Sequence, residues 1–477
     1  MKALVWKLLV LVLVVFIMGQ IGGSCSSCID LLVVITNPSS GSTVSDMVEL
    51  KASVAGSLAS SVTRVEFTIT GGPYPPSIFT AYPPSYSTDW DTTTFANGTY
   101  SIKAKAYASG GTTRESPAIS VTVDNNIKWT FMVYINGDNS LDGAVQGDLN
   151  EMMAVGSTNK LDIIVQVDKY SQSGCWRYKV NQGSLTTLDT LPEQDFGDPN
   201  VLLNFIDWAM TNYPASRYVL VVWDHGGGWR RKAGEAIKGI SYDDSSGSSI
   251  DTVELGNVFA SIPRPIHIVG MDACLMQMEE VAHQIMFRGY YLVASEETIP
   301  GNGWPYDNIL QELKNNPNID LSTFTQKIVD HYVAEYPGGG VTLSSRILYS
   351  REVAYKANDL AHVIRSNSSA WGTVKEIISG TQSYTYTDYK DLYDFAKRLN
   401  NYSSMPTAIK NAAQAVMTAI NNVVIKEGHS GTSMANSHGI SIWLPQNTTQ
   451  FNNGKTSYSL LDLAHDTEWD EMLDDLY

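Results

Sequence analysis

The sequence predicts two domains of different fold class, an all-β sandwich followed by an α/β domain with a mostly parallel sheet covered by helices. Short runs of alternating polar and apolar residues, broken by turn residues, fill the region 31–124. From residue 127 onward, solid apolar runs alternate with helical patterns, which is typical of parallel strands buried on both faces. The length of 477 residues also exceeds that of one ordinary domain. We therefore place the domains at 31–124 and 127–477.

Composition and charge restrict the class of protein. The net charge of -17 and the pI near 4.8 argue against a protein that binds nucleic acid or an anionic membrane surface, because such binding needs a basic patch. A hydrophobic content of 43% with 25 tyrosines and 11 tryptophans indicates folded domains. Four cysteines in this length predict no disulfide framework.

The first 24 residues are typical of a secretory signal peptide. Lys2 and Lys7 form a basic start, and residues 8–18 are a continuous apolar run that is shorter than the roughly 20 residues of a membrane anchor. Residues 21–25 also resemble a bacterial lipoprotein cleavage box, although Gly22 stands where a larger aliphatic residue is usual. Lipidation at Cys25 and simple secretion are both compatible with this pattern. Either one predicts a protein that works outside the cytoplasm.

The region 31–124 contains regularly spaced short strands. The strands are predicted at 32–36, 48–52, 62–69, 100–107 and 119–123. Their spacing suggests a β-sandwich, and the sequence is similar to bacterial immunoglobulin-like modules, without the Cys…Trp…Cys pattern of antibody domains. We expect a spacer or adhesive role, with carbohydrate binding through Trp90 or Tyr86 as an alternative.

The second domain shows the alternation of an α/β fold. Strands are predicted at 129–135, 163–167, 218–223, 266–269 and 290–294, and helices at 141–155, 201–209 and 252–260. In open α/β sheets, ligands bind outside the carboxyl ends of the strands. This rule selects the polar residues that directly follow the strands, which are 136–139, Asp168, 224–225, 272–274 and 295–297.

Two of these positions have the chemistry of a thiol-dependent enzyme. Cys274 stands between a predicted strand and an amphipathic helix predicted from Leu275, where free backbone N–H groups and the helix dipole would favour a thiolate. His225 follows another strand and could take the thiol proton and return it to a leaving amine. A cysteine and a histidine with purely structural roles are the alternative.

Several motifs resemble the clostripain family of caspase-like cysteine peptidases. They lie at 129–139, 223–229 (WDHGGGW), 271–276 (MDACLM), 295–304, 389–396 and 438–445. The resemblance extends from Lys128 to the C-terminus. It implies a caspase-like fold and an endopeptidase of protein or peptide substrates, with His225 as the base, Cys274 as the nucleophile and no required cofactor.

The same resemblance implies further roles near the cysteine. The backbone N–H groups of Gly226 and Cys274 would hold the oxyanion of the tetrahedral intermediate. Asp272 matches the acid at the floor of the family's S1 pocket, which implies cleavage after Arg or Lys. An acid at a helix start is the alternative reading of Asp272. Asn302 is neutral where a second acid could stand, which leaves the choice between Arg and Lys open.

Self-processing and calcium binding are two additional expectations. Some relatives cut themselves between the base and the nucleophile, and basic residues in this interval would suit the expected specificity. Lys238 is the first choice for the cleavage position, and Arg231 or Lys232 is the next. A solvated basic loop explains these residues equally well. Some relatives need calcium, and Asp243 and Asp244 could join such a site, although a polar turn also accounts for them.

Two competing functions fit the same sequence. One is a peptidase of the same fold whose pocket takes a neutral residue. The other is a surface binding or adhesion protein in which the caspase-like domain is a non-catalytic scaffold. The chain has no zinc-peptidase motif and no phosphate-binding loop.

Overall fold

The computed structural model describes residues 30–45, 47–72, 76–125, 127–230 and 239–477. The chain divides into two compact units, and the second covers Ile127–Tyr477. The predicted leader with Cys25 and the basic residues Arg231, Lys232 and Lys238 lie outside the described residues. Within those residues, no helix combines the length and the apolar character that crossing a membrane requires.

The N-terminal unit is built from two packed β-sheets. Its strands are β1 (Leu32–Asn37), β2 (Thr43–Val44), β3 (Met47–Ala55), β4 (Val62–Gly71), β5 (Ser77–Ala81), β6 (Ser87–Asp91), β7 (Gly98–Ala108), β8 (Thr113–Glu115) and β9 (Ile119–Val123). One sheet has the order β1-β3-β6, and the other has the order β2-β9-β7-β4-β5, with β8 paired to β7. This arrangement confirms the predicted all-β fold class.

Alternating side chains of both sheets form the core of this unit. Val33, Leu50 and Phe67 are fully buried there, as the period of two predicts. Trp90 is also fully buried and packs edge-on against the ring of Phe95 at 5.3 Å between centroids. Carbohydrate stacking on Trp90 is therefore wrong, because its indole is part of the core.

The second unit alternates strands and helices. Its strands are β10 (Trp129–Gly137), β11 (Leu161–Lys169), β12 (Cys175–Asn181), β13 (Ser184–Leu191), β14 (Arg217–Trp223), β15 (Ile240–Asp243), β16 (Ser248–Ile250), β17 (Ile266–Asp272), β18 (Gly289–Ala294), β19 (Thr342–Ile347), β20 (Tyr389–Asp391), β21 (Val424–His429) and β22 (Ser441–Trp443). The helices up to β19 are α1 (Asp142–Val155), α2 (Pro199–Asn212), α3 (Thr252–Ser261), α4 (Glu279–Ile285), α5 (Tyr306–Asn315) and α6 (Leu321–Glu335). The later helices are α7 (Glu352–Arg365), α8 (Trp371–Gly380), α9 (Leu392–Asn401), α10 (Thr407–Val423), α11 (Thr448–Tyr458), α12 (Asp462–Asp466) and α13 (Trp469–Leu476).

The main sheet has the strand order β13-β12-β11-β10-β14-β17-β18-β19-β21. Its five central strands, β11 to β18 in this order, are parallel, and the two strands at each edge are antiparallel. Every residue of β10 and β14 is buried, as the solid apolar runs predict. The predicted α/β class is confirmed, with antiparallel edges that were not predicted.

Helices cover both faces of this sheet. Successive residues of β10 point to opposite faces, so Met132 and Tyr134 enter one core while Phe131 and Val133 enter the other. Gly270 lies within β17, and a side chain there would come within 2.9 Å of the Trp304 ring. The absence of a side chain at this position therefore leaves room for the Trp304 ring to pack against the strand.

Candidate active site

Parallel pairing of two neighbouring strands brings His225 and Cys274 to the same end of the sheet, where the carboxyl ends of the strands lie. In the register of β14 and β17, Trp223 lies opposite Asp272. The N–H of Asp224 extends this pairing by donating to the carbonyl of Asp272 at 3.2 Å. Both loops therefore leave the sheet side by side, as the rule for carboxyl ends of parallel strands predicts.

Gly226 lies directly against the backbone of Cys274. A Cβ atom at position 226 would lie 2.3 Å from the carbonyl oxygen and 2.9 Å from the nitrogen of Cys274. A glycine is therefore required for the histidine loop to approach the cysteine loop this closely. The Cys274 sulfur also accepts a hydrogen bond from the N–H of Ile299 at 3.2 Å.

The surroundings of Cys274 favour the protonated thiol in the free protein. Burial raises the pKa of Cys274, and the negative charge of Asp272 acts in the same direction. The N–H groups of Ile299 and Gly226 point at the sulfur and lower its pKa, but their effect is smaller than that of burial. A thiolate at this position therefore needs a nearby base to accept its proton.

His225 is half-buried and favours its neutral form. Burial lowers the pKa of His225, and the negative charge of Asp244 opposes this shift. A neutral imidazole can accept a proton, which is what a thiol with a raised pKa requires. The arrangement therefore suits proton transfer from Cys274 to His225 in the course of a reaction.

The chain after Cys274 differs from the predicted helix. Leu275 has a positive φ of 64°, and its N–H donates to the carbonyl of Glu297 at 3.1 Å. Helix α4 begins only at Glu279, and all of its residues are buried. The predicted amphipathic helix from Leu275 and the helix-dipole stabilisation of the thiolate are therefore wrong, because extended backbone pairing replaces the first helical turns.

A cavity of about 330 Å³ opens beside the cysteine. Its walls come from the loops that follow four neighbouring strands, β10, β14, β17 and β18. The lining residues are Leu141, Trp223, Asp224, His225, Asp272, Cys274, Thr298, Ile299, Pro300, Gly301 and Gly303. Cys274, His225 and Asp272 thus border the same space.

Asp272 is a buried acid that lines this cavity. Its Oδ2 accepts hydrogen bonds from the N–H of Trp304 at 3.0 Å and from the hydroxyl of Tyr306 at 2.9 Å. Its Oδ1 is buried and has no hydrogen-bond partner in the described part of the chain. Burial raises the pKa of Asp272 to about 7. Asp272 ends β17, so the alternative of an acid at a helix start does not apply.

The second acid near the cavity comes from helix α1. Asn302 is exposed and does not line the cavity. Asp148 instead lies behind the cavity wall, where its Oδ2 accepts the indole N–H of Trp223 at 2.5 Å. Burial and the charge of Asp272 raise the pKa of Asp148 to about 9, so this acid is protonated and neutral at pH 7.

The two acids considered for calcium have different surroundings. Asp244 is exposed, whereas Asp243 is buried beside Asp138 and Asp168, and one carboxylate oxygen of each of these three lies within 4.8 Å of the others. Oδ2 of Asp168 is buried without a hydrogen-bond partner among the residues described. Three carboxylates with an unpaired buried oxygen suit a hard cation such as Ca²⁺.

Sequence reasoning missed two contacts of the reactive groups. The Ser140 hydroxyl lies 2.9 Å from Nε2 of His225, one residue beyond the stretch that the strand-end rule selected. Ile299, whose N–H contacts the cysteine sulfur, lies in the 295–304 motif, but its role depends on backbone geometry. The presence of a conspicuous loop motif after β18 was the only signal for it.

Comparison with known proteins places the second unit in a family. A model of the clostripain family matches residues 133–476, which is more than half of the chain. The chain belongs to the clostripain family. A model of a bacterial Ig domain matches residues 32–104. Clostripain from Hathewaya histolytica is 26% identical over 408 residues, covering 70% of this chain and 78% of its own.

Solved structures share the fold of this clostripain-family chain. A secreted C11 cysteine protease from Bacteroides thetaiotaomicron, in complex with an irreversible peptide inhibitor, has a TM-score of 0.55 at 22% identity, covering 72% of this chain and 99% of its own. An inactive zymogen C11 protease from Parabacteroides distasonis has a TM-score of 0.53 at 20% identity, with coverages of 74% and 99%.

Membership of the clostripain family makes this chain a cysteine endopeptidase. The resemblance noted in the sequence and the expected immunoglobulin-like module are both confirmed. The family assignment also favours the enzyme over a non-catalytic scaffold.

Gly226→Ala tests the close approach of the two loops. We expect it to lower kcat/KM by about 10²-fold, because the new methyl group would push the loop of His225 away from Cys274 and the reaction tolerates little extra distance. The Tm should change little, since the displaced loop lies beyond the end of β14, outside the sheet. Gly143→Ala, whose added methyl meets no atom within 4 Å, is the matched control and should keep full activity. Equal activity of both variants would contradict this role of Gly226.

Proposed function

We propose that this protein is an extracytoplasmic endopeptidase that hydrolyses peptide bonds after Arg or Lys through a His225–Cys274 dyad. The observation that carries the proposal is that Asp272 lines the cavity that also borders Cys274, while its buried Oδ1 has no hydrogen-bond partner among the described residues. A buried carboxylate oxygen without a partner is costly, and a cationic side chain would relieve that cost. The selecting acid and the nucleophile are separated by a single residue in sequence.

The cavity matches the chemistry of a basic P1 side chain. The guanidinium of arginine or the ammonium of lysine would meet Oδ1 of Asp272, while Oδ2 stays fixed by Trp304 and Tyr306. Gly303 has a φ of +63°, and a Cβ there would lie 2.8 Å from Oδ2 of Asp272. This glycine keeps the space around the acid open.

The proposed reaction has two steps. The proton of the Cys274 thiol passes to His225, the sulfur attacks the scissile carbonyl, and a C–S bond forms. The backbone N–H groups of Gly226 and Cys274 hold the resulting oxyanion. His225 then gives its proton to the leaving amine as the C–N bond breaks. In the second step His225 takes a proton from water as the water oxygen attacks the thioester carbonyl, and His225 returns this proton to the sulfur as the C–S bond breaks, which releases the acid and restores the Cys274 thiol.

The proposal for location depends on the sequence. The leader at 1–24 supports export, and the relative from B. thetaiotaomicron is a secreted protease. Anchoring through a lipid at Cys25 and release of a soluble protein are the two forms of this proposal. Labelling of the expressed protein with a radioactive fatty acid would distinguish them.

We also propose that the enzyme cuts its own chain within 231–238. Arg231, Lys232 and Lys238 are basic, as the proposed specificity requires. Ile240, just after this interval, lies near the dyad, since it forms a β-bridge with Gly226. Mass spectrometry of an active preparation would show the new termini, and a fully active intact chain would contradict the idea.

Catalysis as proposed needs no metal, but we propose a structural calcium site at Asp138, Asp168 and Asp243. Calcium would neutralise three neighbouring carboxylates and occupy the space beside the unpaired Oδ2 of Asp168. The cation would stabilise the loops that follow β10, β11 and β15 without entering the reaction.

Peptides with Arg, Lys or a neutral residue before a fluorescent amine test the dyad and the specificity together. Cys274→Ala and His225→Ala should lower kcat by about 10³-fold or more, while Cys175→Ala should keep activity. Asp272→Asn should lower kcat/KM for basic peptides by about 10²-fold, the effect of losing one partner of a buried charge pair, and leave neutral peptides unchanged. Turnover by Cys274→Ala would refute the dyad, and a wild-type preference for neutral peptides would refute the role of Asp272.

The preference for basic residues should depend on pH. Because burial raises the pKa of Asp272 to about 7, its carboxyl is protonated and neutral below that pH and cannot balance a cationic P1 side chain. The ratio of kcat/KM for basic over neutral peptides should therefore fall as the pH decreases through 7. The titration of the dyad cancels in this ratio. Asp272→Asn should give a flat ratio, and a flat ratio in the wild type would contradict the assignment.

Calcium should raise the Tm of the metal-free protein. At a free calcium concentration about 100 times the Kd, the free energy of unfolding should increase by about 2.7 kcal/mol. Asp168→Asn should abolish this increase because it removes a central ligand. Asp244→Asn should keep it, since Asp244 is exposed and outside the cluster. An equal calcium response of Asp168→Asn and the wild type would exclude this site.

A further inference from the structure

The loop that follows β10 carries a hydroxyl that contacts the imidazole of His225. Oγ of Ser140 lies 2.9 Å from Nε2 of His225. Strand β10 is the direct parallel neighbour of β14, with Ile135 opposite Trp223, so the loops after these two strands leave the sheet together. The contact therefore follows from strand order, although its two residues are far apart in sequence.

Asn139, the residue before Ser140, also joins the loop after β10 to the loop after β14. Nδ2 of Asn139 donates to Oδ1 of Asp224 at 2.7 Å and to the carbonyl of Tyr242 at 2.8 Å. Its Oδ1 accepts the N–H of Leu141 at 2.8 Å. Asn139 and Asp224 are both buried. Two consecutive residue pairs, 139 with 224 and 140 with 225, therefore join the loops through hydrogen bonds. The backbone on either side of Ser140 is thus held in place by contacts that do not involve the imidazole.

We propose that Ser140 is a positioning residue that accepts the Nε2–H of His225 and thereby leaves Nδ1 free to take the proton of Cys274. The inference rests on the proposed dyad. A neutral imidazole carries one N–H, so fixing this proton on Nε2 makes Nδ1 the basic nitrogen. When the thiol proton moves to Nδ1, the Nε2–H···Oγ bond gains a charged donor and becomes stronger. The hydroxyl proton of Ser140 stays on Oγ throughout.

The surroundings of His225 make this support necessary. Its titratable neighbours are Cys274, the exposed Asp244, the Tyr242 ring at 6.1 Å between centroids, and Asp224, whose carboxyl accepts the backbone N–H of His225. Burial lowers the pKa of His225, and Asp244 opposes this shift through its charge alone. Ser140 supplies the direct hydrogen bond to the ring that these neighbours do not.

The test compares Ser140→Ala with Ser140→Thr, which keeps the hydroxyl. Ser171→Ala is the matched control, because Oγ of Ser171 donates to Oδ1 of Asp142 at the start of α1 and does not contact the ring. Ser140→Ala should lower kcat about tenfold with an unchanged KM, the effect of losing one hydrogen bond to a charged group. The acidic limb of its pH profile, where the imidazole becomes protonated, should move to lower pH. Ser140→Thr should recover activity to within about threefold of the wild type.

Alkylation of Cys274 by iodoacetamide provides a readout that does not involve substrate. Near neutral pH, Ser140→Ala should react more slowly than the wild type, because less imidazolium forms to balance the thiolate. At alkaline pH, where the thiol ionises without the histidine, the two rates should converge. A rate that is lower by the same factor at every pH would indicate a displaced loop and overturn the proposal.

The remaining outcomes separate the inference from the function on which it rests. An unchanged kcat and pH profile in Ser140→Ala, with Cys274→Ala inactive, would overturn the role of Ser140 alone. A higher KM with an unchanged kcat would also overturn it, because it would place the hydroxyl in substrate binding. An active Cys274→Ala would instead refute the dyad itself.

Discussion

The site depends on the parallel pairing of β14 with β17. Because Trp223 lies opposite Asp272 in this register, the next residues of each strand emerge beside each other as loops. A shift of one residue would turn the side chain of Asp272 to the opposite face of the sheet. The same register lets Gly226 touch the backbone of Cys274, where its missing side chain sets the distance between the proposed base and the proposed nucleophile. The geometry of the proposed reaction therefore depends on the register of these two strands.

Burial of the site determines the charges that it holds. It raises the pKa of Cys274 and lowers the pKa of His225, so thiol and imidazole are both neutral in the free protein. The N–H groups of Ile299 and Gly226 face the sulfur and are already oriented for a thiolate. In the proposed reaction, charge therefore develops only when a substrate is attacked, and fixed dipoles rather than water then stabilise it.

The sequence was sufficient to predict the central strands and the placement of His225, Cys274 and Asp272 near one another, because apolar periodicity reports burial and the carboxyl ends of parallel strands meet at one end of the sheet. It could not predict what the backbone does between those positions. The positive φ of Leu275 and its bond to Glu297 replaced a helix whose apolar spacing looked regular. The role of Ser140 was missed for a related reason. Its partner His225 lies in the loop after another strand, so their contact leaves no local pattern in the sequence. The edge strand β13 was missed as well, because none of its residues is buried and its polar and apolar residues form only a weak pattern.

In the proposed mechanism, substrate selection by Asp272 and the chemistry at Cys274 are mechanically coupled. Asp272 is the last residue of β17, and the nucleophile follows after Ala273, which is buried. Little backbone freedom remains between them, so a cation held at Oδ1 of Asp272 fixes the distance from the P1 side chain to the scissile carbonyl. A side chain too short to reach the acid would leave its carbonyl displaced from the sulfur as well as its charge unpaired. Discrimination should therefore act on the rate of acylation as well as on affinity, since the same rigid segment sets both.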